Sequence, residues 1–499
     1  MTPPSTARRA SGMRLNSGER KLRAAIVTGT LVDLRTGDTR LDDPSRGAQW
    51  GDDRTVGAQL LAGLLTADLT SQEGRPRAIK LQGARITGSL NLQAAELACP
   101  LTLQDCYLEE PINLNEASAS AIRLPGSHLP ALNADQLRTT GSLELNDATV
   151  HGRIWISGAR IGGQINLSGA TLVNPGERVL HADLLSVEHS MICRHGFTAR
   201  GEIRISGARI GGRLDLREAT LINPGGLALQ AEGLNAEYGI ICQNGFRAQG
   251  EIRLTHAHIG RVFDLKGASL ANPGGVALSL QAADVTDLML LPEQPPDGIV
   301  NLTNTRVVTF SDDPRTWPAT LQLRGFMYDT LENDHVSVQD RLRWLRRHAD
   351  GYTPQIYDQL AAAYRRTGQE NAAREVGIAK QWHRRSVLNT GGKLLNWLLY
   401  ATVGYGYRTW LAGAWLIVLL TIGTWVFSGA RMVATSSNPP PFHPFAYTAD
   451  VTLPILNLGQ KSAWEPQGAA LYWSWALTGA GWVLTTAAVA GLTGILKRE

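Results

Sequence analysis

The chain has few of the residue patterns that proteins use to hold a metal, a cofactor or a disulfide framework. It contains 4 cysteines in 499 residues, and none of them stands in a C-x-x-C pair or a C-x-x-C-H motif. This scarcity argues against disulfide bonds, a zinc site and haem attachment. No G-x-G-x-x-G segment lies between a strand and a helix, as a dinucleotide-binding enzyme would require. We therefore expect no cofactor and no metal.

The composition is also poor in net charge and in aromatic residues. The 48 Lys+Arg are nearly balanced by 44 Asp+Glu, so no nucleic-acid partner is indicated. There are 8 Phe against 52 Gly, which favours strands packed through small side chains over a large aromatic core. Residues 1–23 hold no apolar run of signal-peptide length, and the sequence therefore predicts no secretion signal.

What the sequence does contain is an internal repeat. The segment that begins at Gly158 reads Gly-Ala-Arg-Ile-Gly-Gly-Gln-Ile-Asn-Leu, and it returns in closely related form at Gly207 and in weaker form at His256. Both intervals are 49 residues. A fixed period of this length indicates a repeat architecture. Three Asn-Pro-Gly turns keep the same period, at Asn174, Asn223 and Asn272.

Within the repeat, apolar residues alternate over short stretches, as at Ile203 and Ile205, and turn-forming residues separate these stretches. A spacing of two is typical of strands, because successive side chains point to opposite faces. We predict a mainly β fold, a right-handed parallel β-helix in which one 49-residue super-repeat makes two coils. The pattern extends from residue 78 to residue 326. Residues 1–77 are predicted to form an N-terminal cap, because the exposed ends of a solenoid need cover.

After residue 326 the apolar period changes from two to about 3.6, which indicates helices. Residues 327–408 are predicted to form a small helical region with a helical hairpin that turns at Gly368. Two uncharged segments follow, at 409–430 and 468–496, and each is long enough to cross a hydrocarbon core of about 30 Å. We predict two transmembrane helices, joined by an extracytoplasmic loop at 431–467.

The distribution of basic residues predicts the orientation in the membrane. Between Tyr357 and Arg408 there are eight basic residues and three acidic ones, whereas the 431–467 loop holds two basic residues. Basic residues are enriched on the cytoplasmic side of membrane proteins. The sequence therefore predicts a multi-pass protein of the cytoplasmic membrane, whose large N-terminal domain and both termini lie in the cytoplasm.

Several segments together resemble a known family. They are Gly-Glu-Arg-Lys-Leu at Gly18, Leu-Gln-Gly-Ala-Arg-Ile-Thr-Gly at Leu81, Tyr-Asp-Gln-Leu-Ala at Tyr357, Gly-Tyr-Gly-Tyr-Arg at Gly404 and Leu-Pro-Ile-Leu-Asn-Leu-Gly-Gln at Leu453. Over essentially its whole length the chain is similar to bacterial membrane-anchored β-helix proteins with degenerate pentapeptide-like repeats. Members of that family often carry the label "membrane-associated oxidoreductase". The resemblance implies a membrane-bound protein and, through the label, a redox activity, but it supplies no catalytic residues.

Three other groups of residues invite a chemical interpretation. Five histidines fall within the repeats, and we favour turn or surface positions for them because no acidic residues accompany them at metal-ligand spacing. Cys193 and Cys242 occupy equivalent positions, which is compatible with a redox pair but more typical of core residues. Thr402-Val-Gly-Tyr-Gly matches the selectivity-filter motif of potassium channels, although the charged segment before it does not resemble an outer helix. The histidines are His181, His189, His195, His256 and His258.

Taken together, these patterns favour a non-enzymatic, membrane-tethered scaffold or interaction protein. The alternatives are a membrane-associated oxidoreductase and a channel or transport component. Because the first alternative is an enzyme, the sequence leaves enzymatic activity undecided. The expected partners are the lipid bilayer and an unidentified protein, and a homo-oligomer is left open. Because strand alternation points Ile203 and Ile205 inward, it points their neighbours outward, where like charges are expected to form repelling ladders. The candidate interaction face consists of Arg204, Arg253, Glu202 and Glu251.

Overall fold

The computed structural model describes residues 15–67, 77–332, 335–406, 410–435 and 437–496. Residues 1–14 and 68–76 of the predicted cap lie outside these ranges, as do three basic residues that flank the predicted spans. The chain forms two compact units, Met1–Gly351 and Tyr352–Glu499. The first contains a parallel β-solenoid, and the second is mostly helical. The three flanking basic residues are Arg408, Lys497 and Arg498.

The N-terminal part of the first unit supplies an edge strand to each sheet of the solenoid. Helices α1 (Ser17–Ala25) and α2 (Ala58–Thr66) alternate with short strands in this part of the chain. Strand Leu31–Asp33 pairs in parallel with Ile79–Gln82, and strand Thr55–Gly57 pairs with the strand that follows in the other sheet. The backbone edges of the first coil are thereby paired. Two 3₁₀ helices complete this part, Pro44–Gln49 and Asp52–Arg54.

The solenoid has about 12 turns, which confirms the predicted parallel β architecture. Its strands form two parallel sheets, one of 19 strands and one of 16. The larger sheet contains Leu31–Asp33, Ile79–Gln82, Leu101–Gln104, Ser118–Ala119, Ile122–Arg123, Arg138–Thr139, Leu143–Glu144, Arg160–Ile161, Ile165–Asn166, Ser186–Val187, Met191–Ile192, Arg209–Ile210, Leu214–Asp215, Asn235–Ala236, Ile240–Ile241, His258–Asp264, Asp284–Leu290, Arg306–Asp312 and Met327–Leu331. The smaller sheet contains Thr55–Gly57, Arg85–Thr87, Leu90–Asn91, Tyr107–Leu108, Ile112–Asn113, His128–Leu129, Leu132–Asn133, Thr149–His151, Ile154–Trp155, Thr171–His181, Thr198–Arg204, Thr220–Gln230, Arg247–Arg253, Ser269–Ser279, Asp297–Asn301 and Thr320–Gln322.

The core is a stack of aliphatic side chains that lie above one another on successive coils. Ile154, Leu180, Ile203, Leu229 and Ile252 are consecutive partners in one column, and each of them is buried. Burying a side chain of this size contributes about 1.5–3 kcal/mol. The inward alternation seen in the sequence is therefore the main source of stability of the fold.

Long and short strands alternate along one side of the solenoid. Strands of 11 residues alternate with strands of 7 residues, and each 11-residue strand contains one Asn-Pro-Gly turn. Every second coil therefore carries a projecting turn. The strands are Thr171–His181, Thr198–Arg204, Thr220–Gln230, Arg247–Arg253 and Ser269–Ser279.

The asparagine of each turn closes the turn through its own side chain. Asn174 Nδ2 donates to the backbone oxygen of Arg178 at 3.0 Å, and Asn223 Nδ2 donates to that of Leu227 at 2.7 Å. Asn272 makes the equivalent bond at 2.8 Å. The amide group supplies a donor that Asp lacks, which explains why this residue type recurs with the repeat.

A glycine on the next coil lies directly against each turn. Gly201 has a φ of +132°, and a Cβ atom there would lie 2.5 Å from the Asn174 carbonyl oxygen. Gly250 faces the carbonyl of Asn223 in the same way, with a φ of +120°. Only glycine combines this backbone conformation with so close an approach. The recurring Gly-Glu-Ile-Arg segments of the short strands therefore begin with a residue that the neighbouring turn requires.

Helix α3 (Val338–Leu345) closes the C-terminal end of the solenoid. Its Trp344 packs against Phe310 and Phe326, with ring centroids 5.9 Å and 6.5 Å apart. Arg341 of α3 forms an ion pair with Asp312 at 2.5 Å, and both side chains are almost completely buried. The sequence predicted this helix but assigned it to the 327–408 region, whereas it belongs to the compact unit of the solenoid.

The second unit begins with a helical hairpin. Helices α4 (Pro354–Arg366) and α5 (Glu370–Arg384) are joined at Gly368, whose φ of +75° is the left-handed conformation expected at this turn. Lys380 and Asp358 form an ion pair at 2.6 Å across the hairpin. The remaining elements are α6 (Thr390–Val403), α7 (Trp410–Ser428), α8 (Pro444–Thr452), α9 (Gln460–Ala463), α10 (Ala469–Leu496) and an antiparallel hairpin of Met432–Ala434 with Trp464–Pro466.

Among the described residues, one helix is long and apolar enough to cross a membrane, with its candidate span at Leu411–Ser428. The sequence predicted two such spans. The helix that matches the second prediction, α10, has 28 residues. However, the side chains at 487–496 lie outside the part of the chain that the structure describes, so the second half of this helix does not enter that result. The structure therefore supports the first span, and the second remains a prediction.

Candidate functional site

The predicted interaction face lies on the smaller sheet, and its two arginines are in one column. Arg204 pairs with Gln230, and Gln230 pairs with Arg253 on the following coil. A complete coil therefore separates the two guanidinium groups. With neighbouring strands about 4.8 Å apart, the two backbones are roughly 10 Å from each other.

The expected repulsion along this face is not present, because acidic side chains neutralise the arginines. Arg204 Nε donates to Asp183 Oδ2 at 2.8 Å, and Arg253 Nε donates to Glu251 Oε1 at 2.8 Å. The Glu202 carboxylate lies 3.5 Å from the guanidinium of Arg178. The side chains of Glu202 and Glu251 are 19% and 13% exposed, so they are mostly covered. The prediction of repelling ladders was wrong, and this face offers little free charge to a partner.

The histidines of the repeats do not gather into a site. His181 Nε2 lies 3.1 Å from Asp183, and His195 Nδ1 lies 3.3 Å from Glu218, each near one carboxylate. Within the described ranges, no group of three His, Cys, Asp or Glu side chains has the arrangement of a metal site. His256 lies in the turn before the strand His258–Asp264 of the larger sheet, and His258 is the first residue of that strand, whereas His181 ends a strand of the smaller sheet.

Cys193 and Cys242 are core residues in the structure. Both are buried, and burial raises the pKa of each thiol well above its ordinary value. Leu216 lies between them in the same inward column, because Met191, Leu214 and Ile240 are successive partners two residues earlier. Two strand spacings of about 4.8 Å exceed the Cα separation that a disulfide allows. The arrangement favours the core interpretation over a redox pair.

The Thr402-Val-Gly-Tyr-Gly segment ends a helix and does not lie between two spans. Helix α6 finishes at Val403, and Tyr405 has a φ of 58° in the turn that follows. The Tyr405 hydroxyl donates to Asn396 Oδ1 at 2.6 Å and accepts from Arg385 Nη2 at 2.8 Å. These contacts bind the tyrosine to the preceding helices, so its role is structural.

A different face, on the larger sheet, carries two adjacent arginines. Ser118, Arg138, Arg160 and Ser186 are successive partners in one outward column, so Arg138 and Arg160 lie on neighbouring coils. Both side chains are exposed. Neither guanidinium group forms a hydrogen bond or an ion pair within the described part of the chain. We call this column, with the residues that line the groove beside it, the arginine groove.

The arginine groove has a volume of about 660 Å³ and is open along one side. Gly162 forms part of its floor, where a Cβ atom would lie 2.7 Å from the Thr140 carbonyl oxygen. The absence of a side chain at this position deepens the groove next to Arg160. Carboxylates are present at its edges. The polar lining includes Glu96, Ser118, Arg138, Thr140, Arg160 and Glu188.

Sequence reasoning missed the arginine groove, although a signal was present. Arg160 belongs to the Gly-Ala-Arg-Ile-Gly-Gly segment that opens the repeat, but Arg138 precedes the clear repeats. Only an alignment of single coils places the two residues side by side. An alignment by the 49-residue period matches residues that are two coils apart, and it therefore does not show which residues lie on adjacent coils.

Comparisons with known proteins do not identify the chain. No family model, no curated protein and no solved structure matches it. The redox activity implied by the family resemblance therefore remains an expectation from the sequence.

Proposed function

We propose that this protein is a membrane-anchored interaction protein whose solenoid binds an acidic segment of a partner protein in the arginine groove. The observation that carries the proposal is the adjacency of Arg138 and Arg160 without an acidic partner within the described ranges. Two guanidinium groups on neighbouring strands repel each other, and a bound carboxylate relieves that repulsion. Guanidinium groups also bind carboxylates through two parallel hydrogen bonds.

The proposed membrane anchor consists of two spans. One is α7, and the other is the uncharged segment at 468–496, which contains α10. The excess of basic residues at 357–408 supports a cytoplasmic solenoid and cytoplasmic termini. We also infer a right-handed solenoid whose unit of two coils repeats every 49 residues, because right-handed connections between parallel strands strongly predominate. Reporter fusions after Leu331 and at the C-terminus should both indicate cytoplasm, and a fusion after Asn438 should indicate the outside. A cytoplasmic signal after Asn438 contradicts the two-span topology.

The groove is tested by reversing its charge. The double variant Arg138→Glu, Arg160→Glu should keep the fold, because exposed substitutions change stability by about 0.5 kcal/mol or less. When this variant is recovered from native membranes at equal expression, the amount of its most abundant acidic co-purifying protein should be at least tenfold lower than with the wild type. The measurement is quantitative mass spectrometry of the captured proteins.

The matched control is Arg200→Glu, Arg247→Glu. These two arginines are also exposed and form no ion pair within the described ranges, but they lie on the smaller sheet. The control should retain its partners at wild-type levels. If both double variants lose partners equally, net charge and not the groove determines binding, and the proposal is wrong.

A further inference from the structure

Helix α6 is held on one side by a cluster of polar and aromatic contacts. Asn396 is buried, and its Oδ1 accepts from Arg385 Nε at 2.6 Å and from the Tyr405 hydroxyl at 2.6 Å. The Arg385 guanidinium also lies over the rings of Trp382 and Tyr400, 4.6 Å and 5.6 Å from their centroids. These contacts fix α6 against the end of α5 and against the turn that follows α6, so the helix presents a defined face to its surroundings.

The face of α6 that points away from Asn396 carries large apolar side chains. Leu394 and Trp397 are 70% and 57% exposed, and residues three apart on a helix lie on the same face. Val387, in the connection between α5 and α6, is exposed as well. An exposed apolar surface of this kind marks a site that meets lipid or another protein. We call Leu394 and Trp397 the apolar patch of α6.

A side-chain contact joins the end of α6 to the candidate membrane span. Trp415 Nε1 donates to the backbone oxygen of Ala401 at 2.9 Å. Trp415 lies four residues after Leu411, the first residue of the candidate span, which is about 6 Å along the helix. The C-terminal end of α6 therefore lies at the level of the first turns of the span. Trp415 and Ile417 are themselves exposed, so the apolar surface continues from α6 onto α7.

The charges around the apolar patch favour lipid over protein as its occupant. The segment 376–408 holds five basic residues and no acidic one. Two of them, Arg384 at the end of α5 and Lys393 in the first turn of α6, are exposed and form no ion pair within the described ranges. Tryptophan is enriched where a span meets the headgroups. A helix with an apolar face and basic residues beside it lies in the plane of the interface and is attracted to anionic lipids.

We propose that α6 is an interfacial helix that binds anionic lipid. Leu394 and Trp397 insert among the upper parts of the acyl chains, and Arg384 and Lys393 contact the headgroups. With 14 residues, or about 21 Å, the helix is long enough to contact several lipid molecules. The inference rests on the membrane anchor proposed above, and it uses only the first span of that anchor, α7. It adds to the anchor a surface that distinguishes anionic from neutral lipid.

The first test measures the surroundings of single side chains in the full-length protein reconstituted in vesicles that contain phosphatidylglycerol. Nitroxide spin labels at Leu394→Cys and Trp397→Cys are compared for their access to oxygen, which concentrates in hydrocarbon, and to a polar nickel complex, which stays in water. The ratio of the two should be at least tenfold higher than at Gln369→Cys, which lies in the exposed turn between α4 and α5. The four native cysteines are buried and give little background.

A further label at Ile417→Cys separates this inference from the anchor on which it rests. If that label lies in hydrocarbon and the labels on α6 lie in water, the span is right and the interfacial helix is wrong. If the label at Ile417→Cys also lies in water, the membrane anchor itself is wrong. Low access of the α6 labels to both reagents means that protein covers the apolar patch, and it also overturns the inference.

The second test concerns the preference for anionic lipid. The double variant Arg384→Glu, Lys393→Glu should lower the ratio at the Leu394→Cys label at least threefold in vesicles with phosphatidylglycerol, because the reversed charges are repelled by the headgroups. It should leave the ratio unchanged in vesicles of phosphatidylcholine alone. The matched control is Arg365→Glu, Arg374→Glu, which makes the same change of charge at exposed positions of the α4–α5 hairpin and should keep the wild-type ratio. Equal losses in both double variants, or no loss in either, overturn the preference for anionic lipid.

Discussion

The buried ion pair between Asp312 and Arg341 provides a direct test of how the solenoid is closed. The two side chains are 0% and 1% exposed, and Trp317 Nε1 also donates to Asp312 Oδ2 at 2.8 Å. The variant Asp312→Ala would leave the guanidinium of Arg341 buried without its carboxylate. Removing one partner of a buried pair costs about 3–5 kcal/mol. Because a solenoid opens from its ends, this cost should fall on α3 and the last coils, and the centre should be unaffected.

Hydrogen exchange measures this local stability in the intact protein. For Asp312→Ala we expect amides of the strand Thr320–Gln322 and of α3 to exchange at least 100-fold faster than in the wild type, since about 1.4 kcal/mol corresponds to a factor of ten. Amides of the central strand Thr220–Gln230 should exchange at the wild-type rate. Unchanged exchange in α3 would refute the role of the ion pair as the closing contact.

A double variant separates the ion pair from the packing around it. In Asp312→Leu, Arg341→Met both charges are removed, and similar volumes remain among Phe310, Phe326 and Trp344. Replacing a buried pair by apolar residues is often neutral or stabilising. The double variant should therefore exchange close to the wild-type rate. If it is destabilised by as much as the sum of the two single variants, the buried charges themselves hold the end closed.

Three further predictions concern the solenoid. Gly250→Ala should lower the free energy of unfolding by about 1–3 kcal/mol more than Gly245→Ala, as measured by thermal unfolding, because both glycines have positive φ but only Gly250 lies against a turn. Cys193 and Cys242 should not react with a soluble thiol reagent at pH 8 until the protein is denatured, because burial raises their pKa values; reaction of the native thiols would contradict the core interpretation. Burial and the neighbouring charge of a second histidine lower the pKa of His128 below its ordinary 6.5, so the neutral form is favoured in the fold and stability should fall as the pH drops through about 6.5. His128→Gln should remove that part of the pH dependence, and an unchanged pH profile would contradict it.

The solenoid could be predicted from the sequence because the residues of its core follow a simple repeating pattern. Inward positions such as Ile203 and Leu229 are aliphatic on every coil, and the turns between them carry Gly, Asn or Pro. The role of α3 could not be predicted in the same way. Its amphipathic pattern indicates a helix, but the partner of Arg341 is Asp312, 29 residues earlier, and periodicity contains no information on such a contact.

The candidate site was harder to predict for a related reason. Arg204 and Arg253 share a face, as expected, but their effective charge depends on Asp183 and Glu251, which lie beside them in the folded solenoid. Whether a charged side chain is neutralised depends on which side chains lie beside it in the folded protein. The position of the residue in the sequence does not show this. The same reasoning explains why Arg138 and Arg160 emerge only when single coils are aligned.

The alternation of projecting turns and glycines also limits how such a solenoid can change its length during evolution. Loss of one coil would place two Asn-Pro-Gly turns on neighbouring coils, and the carbonyl of one would then meet a side chain of the other where Gly201 or Gly250 now lies. Loss or duplication of a pair of coils preserves every contact between turn and glycine. Within this part of the chain, viable insertions and deletions are therefore expected in pairs of coils, and homologous solenoids of different length should differ by even numbers of them.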